Sequence, residues 1–166
     1  MSAWGSFERP DLKARGFTGF FPVADLWISR CAGIPRLAGA YVVYRTAATA
    51  PVFLERSAGG HFKGRDPTVA VVALKSKWIK GARTIYIGKA ATSTLQTRIR
   101  QLLDYGAGRP VGHQGGRYLW QLAGSERLLI AWRADQQPTL VENEMLIAFA
   151  ARWGGYPFAN IAGPRR

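Results

Sequence analysis

Cysteine occurs once in this 166-residue chain, at Cys31. No internal disulfide can form, and no cysteine-built zinc site can come from one chain. A lone thiol fits a reducing, cytoplasmic setting. Histidine occurs twice, at His61 and His113, too rarely for a His-Glu-x-x-His site with a third histidine. Long apolar runs are absent too. The longest aliphatic stretch is Val69 to Leu74, far short of the roughly 20 residues that span a bilayer. The N-terminus carries Glu8 and Asp11 without an apolar segment, so no signal peptide and no membrane association are expected. Acidic residues are scarce as well: 10 against 23 Lys plus Arg, a net charge of +13. That imbalance predicts a polyanionic partner.

What is present is enough for one core. Hydrophobic residues make up 48% and aromatics 12%, which excludes a disordered tail. Residues 1–36 read as irregular, with Pro10, Pro22 and Pro35. Strands are expected at Ala40–Arg45, Thr84–Gly88 and Leu128–Arg133, with a short one at Val52–Glu55. Asp66-Pro67 reads as the start of a helix over 67–80, stopped by Gly81. Ser93 or Thr94 caps a helix to about Tyr105, with Leu95, Ile99, Leu102 and Leu103 as its apolar stripe. Pro138 opens a last helix that Gly154-Gly155 ends.

Two glycine motifs are set aside. Gly88-Lys89 is followed by Ala90 where a phosphate loop needs Ser or Thr. Gly106-Ala107-Gly108 follows a helix and does not join a strand to one, as a dinucleotide fingerprint would. The charge is concentrated: no acidic residue falls between Pro67 and Leu103, while Lys75, Lys77, Lys80, Arg83, Lys89, Arg98 and Arg100 do.

Five elements then stand in order: Gly39-Ala40-Tyr41, Tyr86-Ile87-Gly88 followed by Lys89, Leu95-x-x-Arg98-Ile99, Glu142 within Val141–Ile147, and Pro157-Phe158-Ala159-Asn160. Together they resemble the GIY-YIG nuclease superfamily over residues 38–162. The resemblance implies an α+β fold, a small three-stranded antiparallel sheet flanked by helices. Residues 1–37 would be an extension packed on that domain, 47–83 an insertion longer than the family's spacing, and 163–166 a basic tail. It implies a metal-dependent endonuclease acting on DNA ahead of RNA, with Mg²⁺ or Mn²⁺ bound through Glu142. Tyr41 and Tyr86 would divide two roles, one orienting or deprotonating water and the other holding phosphate or metal-bound water. Arg98 would clamp the phosphate.

The residues support parts of this on their own. On a helical wheel Leu146, Phe149 and Trp153 lie within about 40° of Glu142, which sets its carboxylate at the end of an apolar stripe. A cation, a basic partner or the helix N-terminus could compensate it. Glu144 points about 200° away, as a surface charge. Lys89 adds positive charge, and Asn160 ties down the tail or orients the surroundings of Glu142.

One departure stands out. The family's His or Tyr one turn after the arginine is Leu102 here. Tyr105, about 20° off the face of Arg98, and His113 are the candidate substitutes. Lys63, Arg65, Lys75, Lys77, Lys80, Arg100, Arg109 and Arg117 are the expected nucleic-acid contacts. The second reading is a nucleic-acid-binding module of the same fold with weak or no cleavage, and Leu102 is the feature that favours it.

Overall fold

The β-branched and aromatic run after Gly39 becomes the central strand. In a computed structural model that describes residues 3–113 and 115–164, Gly39–Tyr44 forms β2, with every residue buried. It pairs antiparallel with β3 (Thr84–Ala90) on one side and β4 (Leu129–Ala134) on the other. β1 (Thr18–Pro22) pairs with β4, giving the order β1-β4-β2-β3. A strand buried on both faces shows no polar alternation. Tyr41 and Val43 of β2 face α4 (Leu95–Gly106), packing in one cluster with Ile99 and Leu102. Ala40 and Val42 face α5 (Pro138–Trp153), in a second cluster with Met145 and Phe149. The fold is α+β: a small antiparallel sheet with helices on both faces. Among the described residues no helix is long and apolar enough to cross a membrane.

The helix boundaries have local causes. Thr94 caps α4 by accepting from the Thr97 amide at 3.1 Å. Pro138 opens α5, where a missing amide proton costs nothing, and Gly154 ends it in the left-handed region at φ +78°.

β3 is one of the two edge strands, and the C-terminal segment runs along it. The Ala159 amide donates to the Ile85 carbonyl at 2.8 Å. Asn160 continues the ladder with its side chain: Oδ1 accepts from the Ile87 amide and Nδ2 donates to the Ile87 carbonyl, both at 2.9 Å. A primary amide offers the donor and acceptor that a neighbouring strand would, so the edge is closed to further pairing.

Three expectations are corrected. The sheet has a fourth strand, β1, from the segment read as irregular, which also holds α1 (Arg9–Ala14) and α2 (Val23–Ser29). The helix expected over 67–80 is α3, Val71–Lys77 only. Asp66 does not cap it; its carboxylate accepts from the Thr68 amide at 2.9 Å. Val69 is held extended because the Gln121 side chain bonds both its amide (3.0 Å) and its carbonyl (2.7 Å). Trp78 has left the helix at ψ 130°, before Gly81. The strand expected at Val52–Glu55 is a single bridge, Phe53 to Leu122.

Candidate active site

Where the end of β3 meets α4 from one face and α5 from the other, the surface opens into a groove of about 830 Å³. Tyr41, Tyr86, Lys89, Arg98, Arg117 and Glu142 line it, along with Asn160. Four residues from β2, β3, α4 and α5 thus converge, although 101 positions separate Tyr41 from Glu142 in the chain.

Register explains the tyrosines. Tyr41 stands opposite Gly88, and Val43 opposite Tyr86. Gly88 matters for its missing side chain. A Cβ there would lie 2.5 Å from Tyr41 Cζ and 2.6 Å from its hydroxyl. The ring of Tyr41 lies over that bare position, with its centroid 5.9 Å from the Tyr86 ring. Both neighbours of this contact are strand backbone or a buried ring, so neither yields cheaply. Gly88→Ala is expected to cost about 2–3 kcal/mol and to lower the thermal midpoint by about 5–10 °C, measured by circular dichroism. An unchanged midpoint would show that Tyr41 does not need the space.

Burial sets the chemistry of the pair. Tyr41 is fully buried, and its hydroxyl has no well-formed hydrogen bond among the described residues. Its pKa is pushed well above the ordinary phenol value by burial and by Tyr86 beside it; Arg98 opposes and Glu142 adds to the rise. Tyr86 is also raised by burial, but Tyr41 and Arg98 pull it back. Tyr86 retains 7% exposure against none for Tyr41. Both phenols therefore hold their protons more tightly than a free tyrosine.

The charged groups come from separate elements. Lys89 Nζ lies 3.5 Å from a Glu142 carboxylate oxygen, both side chains mostly buried. Arg98 Nη1 donates to Gln101 Oε1 at 3.2 Å, one turn along α4, which fixes the guanidinium toward the groove. Glu144 is exposed, away from the groove, as its place on the wheel implies. Among the described residues no three His, Cys, Asp or Glu side chains gather into a ligand set. Glu142 is the acidic side chain on the described lining. A single carboxylate suits Mg²⁺, which keeps most of its waters and takes a substrate oxygen. The buried, unpaired hydroxyl of Tyr41 is the kind of group a bound water or phosphate oxygen would satisfy.

The auxiliary residues divide. Lys89 and Asn160 belong to the groove; Tyr105 and His113 do not line it. Tyr105 shares the face of Arg98, but seven residues are about 10 Å of helix. At that distance the insertion covers it: Gly59 packs on its ring, and the Gly60 amide donates to its carbonyl at 2.9 Å. His113 is completely buried, with neither ring nitrogen hydrogen-bonded among the described residues. Leu102 is buried in the core, and Gly116 packs against it and Tyr86.

The expected nucleic-acid contacts are also dispersed. Arg117 lines the groove. Lys63, Arg65, Lys75 and Lys77 are exposed on the insertion, and Lys80 lines a separate cleft. Arg100 and Arg109 border a small cavity of about 200 Å³ with Asp104, which pairs with Arg109 at 3.7 Å. Gln101 and Thr139 were not anticipated as groove residues. Both stand three positions from a named one, Arg98 and Glu142, a spacing that places them on the same helix face. No family model matches the chain, and neither curated proteins nor solved structures yield a match.

Proposed function

We propose that this groove hydrolyses phosphodiester bonds, in DNA ahead of RNA, as a GIY-YIG-type endonuclease of a reducing, cytoplasmic setting. One observation carries the reading: two buried tyrosines, an arginine and a glutamate from four elements share one groove. Cleaving a phosphodiester requires an oriented water, compensation of charge on the phosphoryl oxygens and help for the leaving oxygen. Arg98 supplies a planar fork that donates to two phosphate oxygens. Tyr86, the phenol that keeps some exposure to the groove, takes the proton of the attacking water once ionised. Tyr41 keeps its proton and donates to an oxygen that gains charge. A Mg²⁺ or Mn²⁺ ion held by Glu142 would supply Lewis-acid stabilisation of that charge. Lys89, which now neutralises Glu142, is placed to turn to a phosphate oxygen instead.

The test is a cleavage assay on duplex, nicked, branched and single-stranded substrates with Mg²⁺ or Mn²⁺. Nicking is expected, and Arg98→Ala should slow it by about 10²–10³. Because both phenols sit above their ordinary pKa, the rate should climb with pH up to and beyond 9, with no plateau near neutrality. Binding with no cleavage under any divalent metal would favour the second reading, a nucleic-acid-binding module. Leu102 favours that reading: a buried aliphatic residue moves no proton.

A further inference from the structure

At the opposite end of the β2–β3 pair, the chain builds a second cationic cleft that the groove does not use. Arg45 follows β2 and Arg83 precedes β3; with Lys80 they border a cavity of about 390 Å³. Its remaining walls are apolar: Trp78, Pro51 and the alanine-rich loop between Arg45 and Pro51. Among the described residues no acidic side chain lies on this lining. Glu8 reaches Arg83 Nε at 3.6 Å without bordering the cleft, and Arg45 and Lys80 have no acidic partner among the described residues.

The two arginines are held for another reason as well. Arg45 Nη1 donates to the carbonyls of Ala47 (3.2 Å) and Thr49 (2.8 Å), and Arg83 Nη1 donates to that of Thr46. These bonds fix the loop, yet they leave Nε and Nη2 of Arg45 without an acceptor among the described residues. The guanidinium of Arg45 also lies 5.2 Å above the Trp78 ring. Its pKa is lowered, first by burial and then by Arg83 beside it. The partly buried guanidiniums of Arg45 and Arg83, with the exposed ammonium of Lys80 beside them, make the cleft attractive to an anion. Spare donors in a planar fork match a phosphate. The indole and proline wall matches an apolar ring attached to it. The cavity falls in the range that holds a small ligand, about 300–1,000 Å³.

We infer that this cleft is a nucleotide site, with the phosphate on Arg45, Arg83 and Lys80 and the base against Trp78. Six positions along the strand separate Lys89 in the groove from Arg83 in the cleft, about 20 Å. A strand held at Arg98 would place a unit a few nucleotides away in the cleft. The inference rests on the nuclease reading only for this last point; a free mononucleotide has the same chemistry.

The experiment follows the Trp78 indole and Arg45 Nε–H signals by NMR in the full chain. The probes are inorganic phosphate, deoxyadenosine 5′-monophosphate and an eight-residue single-stranded DNA. The mononucleotide should shift both signals and bind about tenfold more tightly than phosphate. Lys80→Glu should weaken it by at least about tenfold. Lys80 is exposed and bonds nothing in the described residues, so that variant folds; Arg45→Lys is the second variant, keeping charge while losing the fork. Shifts with DNA at the cleft and at Arg98 together identify a strand unit. Shifts with the mononucleotide alone identify a free nucleotide. Unmoved signals with both nucleotide probes, or equal shifts in Lys80→Glu, overturn the site, and phosphate binding as tightly as the mononucleotide overturns its nucleotide character. DNA that is neither cut nor felt at Arg98, with the mononucleotide still shifting the cleft, defeats the nuclease reading alone.

Discussion

Glu142→Gln should reduce divalent-metal-dependent cleavage by about 10³-fold, roughly 4 kcal/mol of transition-state stabilisation. It should do so while nucleic-acid binding is kept or tightened. The substitution is nearly isosteric, so the shape of α5 and its packing through Met145, Leu146 and Phe149 stay as they are. What changes is charge. The groove carries Lys89, Arg98 and Arg117 against Glu142. Removing the carboxylate raises its net charge by one and frees Lys89 from a partner at 3.5 Å. Phosphate binding should gain from that, most at low salt. Chemistry should lose, because the carboxylate proposed to anchor a divalent ion is gone.

The opposite movement of binding and turnover separates a chemical role from a structural one. A glutamate that only complemented the helix macrodipole would contribute about 0.3–1 kcal/mol of stability and leave turnover alone. Single-turnover rates and filter-binding affinities on the same preparation decide it. Turnover within tenfold of the unaltered protein would remove Glu142 from the chemistry. Arg98→Ala is the contrasting case, since an arginine that grips phosphate should lose binding and turnover together.

How much of this was legible in the chain follows from range. β2, β3 and β4 announce themselves by their β-branched and aromatic residues, and α4 and α5 carry their own caps in Thr94, Pro138 and Gly154. The pairing of Tyr41 with Gly88 was implicit in two short motifs, and the groove follows from it once α4 and α5 close on the two faces. β1 was hidden by its own irregularity. Gly19 and Pro22 break the alternation, Phe20 sits at φ +57°, and the register with β4 slips between Gly19 and Phe21. Such a strand exists because β4 offers an edge, which no local signal in Thr18–Pro22 conveys. The insertion was misread for the same reason. Val69 could have joined a helix, and it is extended only because Gln121, 52 positions away, binds its backbone. Tyr105 lies on the correct face of α4, but the chain that covers it comes from residues 57–60. The Lys89–Glu142 pair joins two residues whose charges are plain in the sequence and whose contact depends on α5 packing across β3.

His113 should make the protein acid-sensitive in a window where an ordinary histidine would not. Its pKa is pushed down to about 3, first by burial and then by the positive charge of Arg98. Free histidine in an unfolded chain titrates near 6.5. Above that value both states are neutral and the residue has no effect. As the pH falls below it, the unfolded chain takes up a proton that the folded chain refuses, and stability drops until the folded group itself titrates. Between pH 6.5 and 4 that amounts to about 3 kcal/mol from one residue. The carboxylates of the protein titrate in part of the same range, so the comparison is with His113→Leu and His113→Phe rather than with the curve alone. Both ring nitrogens lack partners among the described residues, so an apolar replacement removes two unsatisfied polar atoms and should be neutral or stabilising at pH 7. Urea unfolding at pH 7 and pH 4 then reads the difference. The unaltered protein should lose about 3 kcal/mol more than either variant. Parallel loss in all three would mean that the imidazole is protonated in the folded state, and that a water or a phosphate near Arg98 holds its proton.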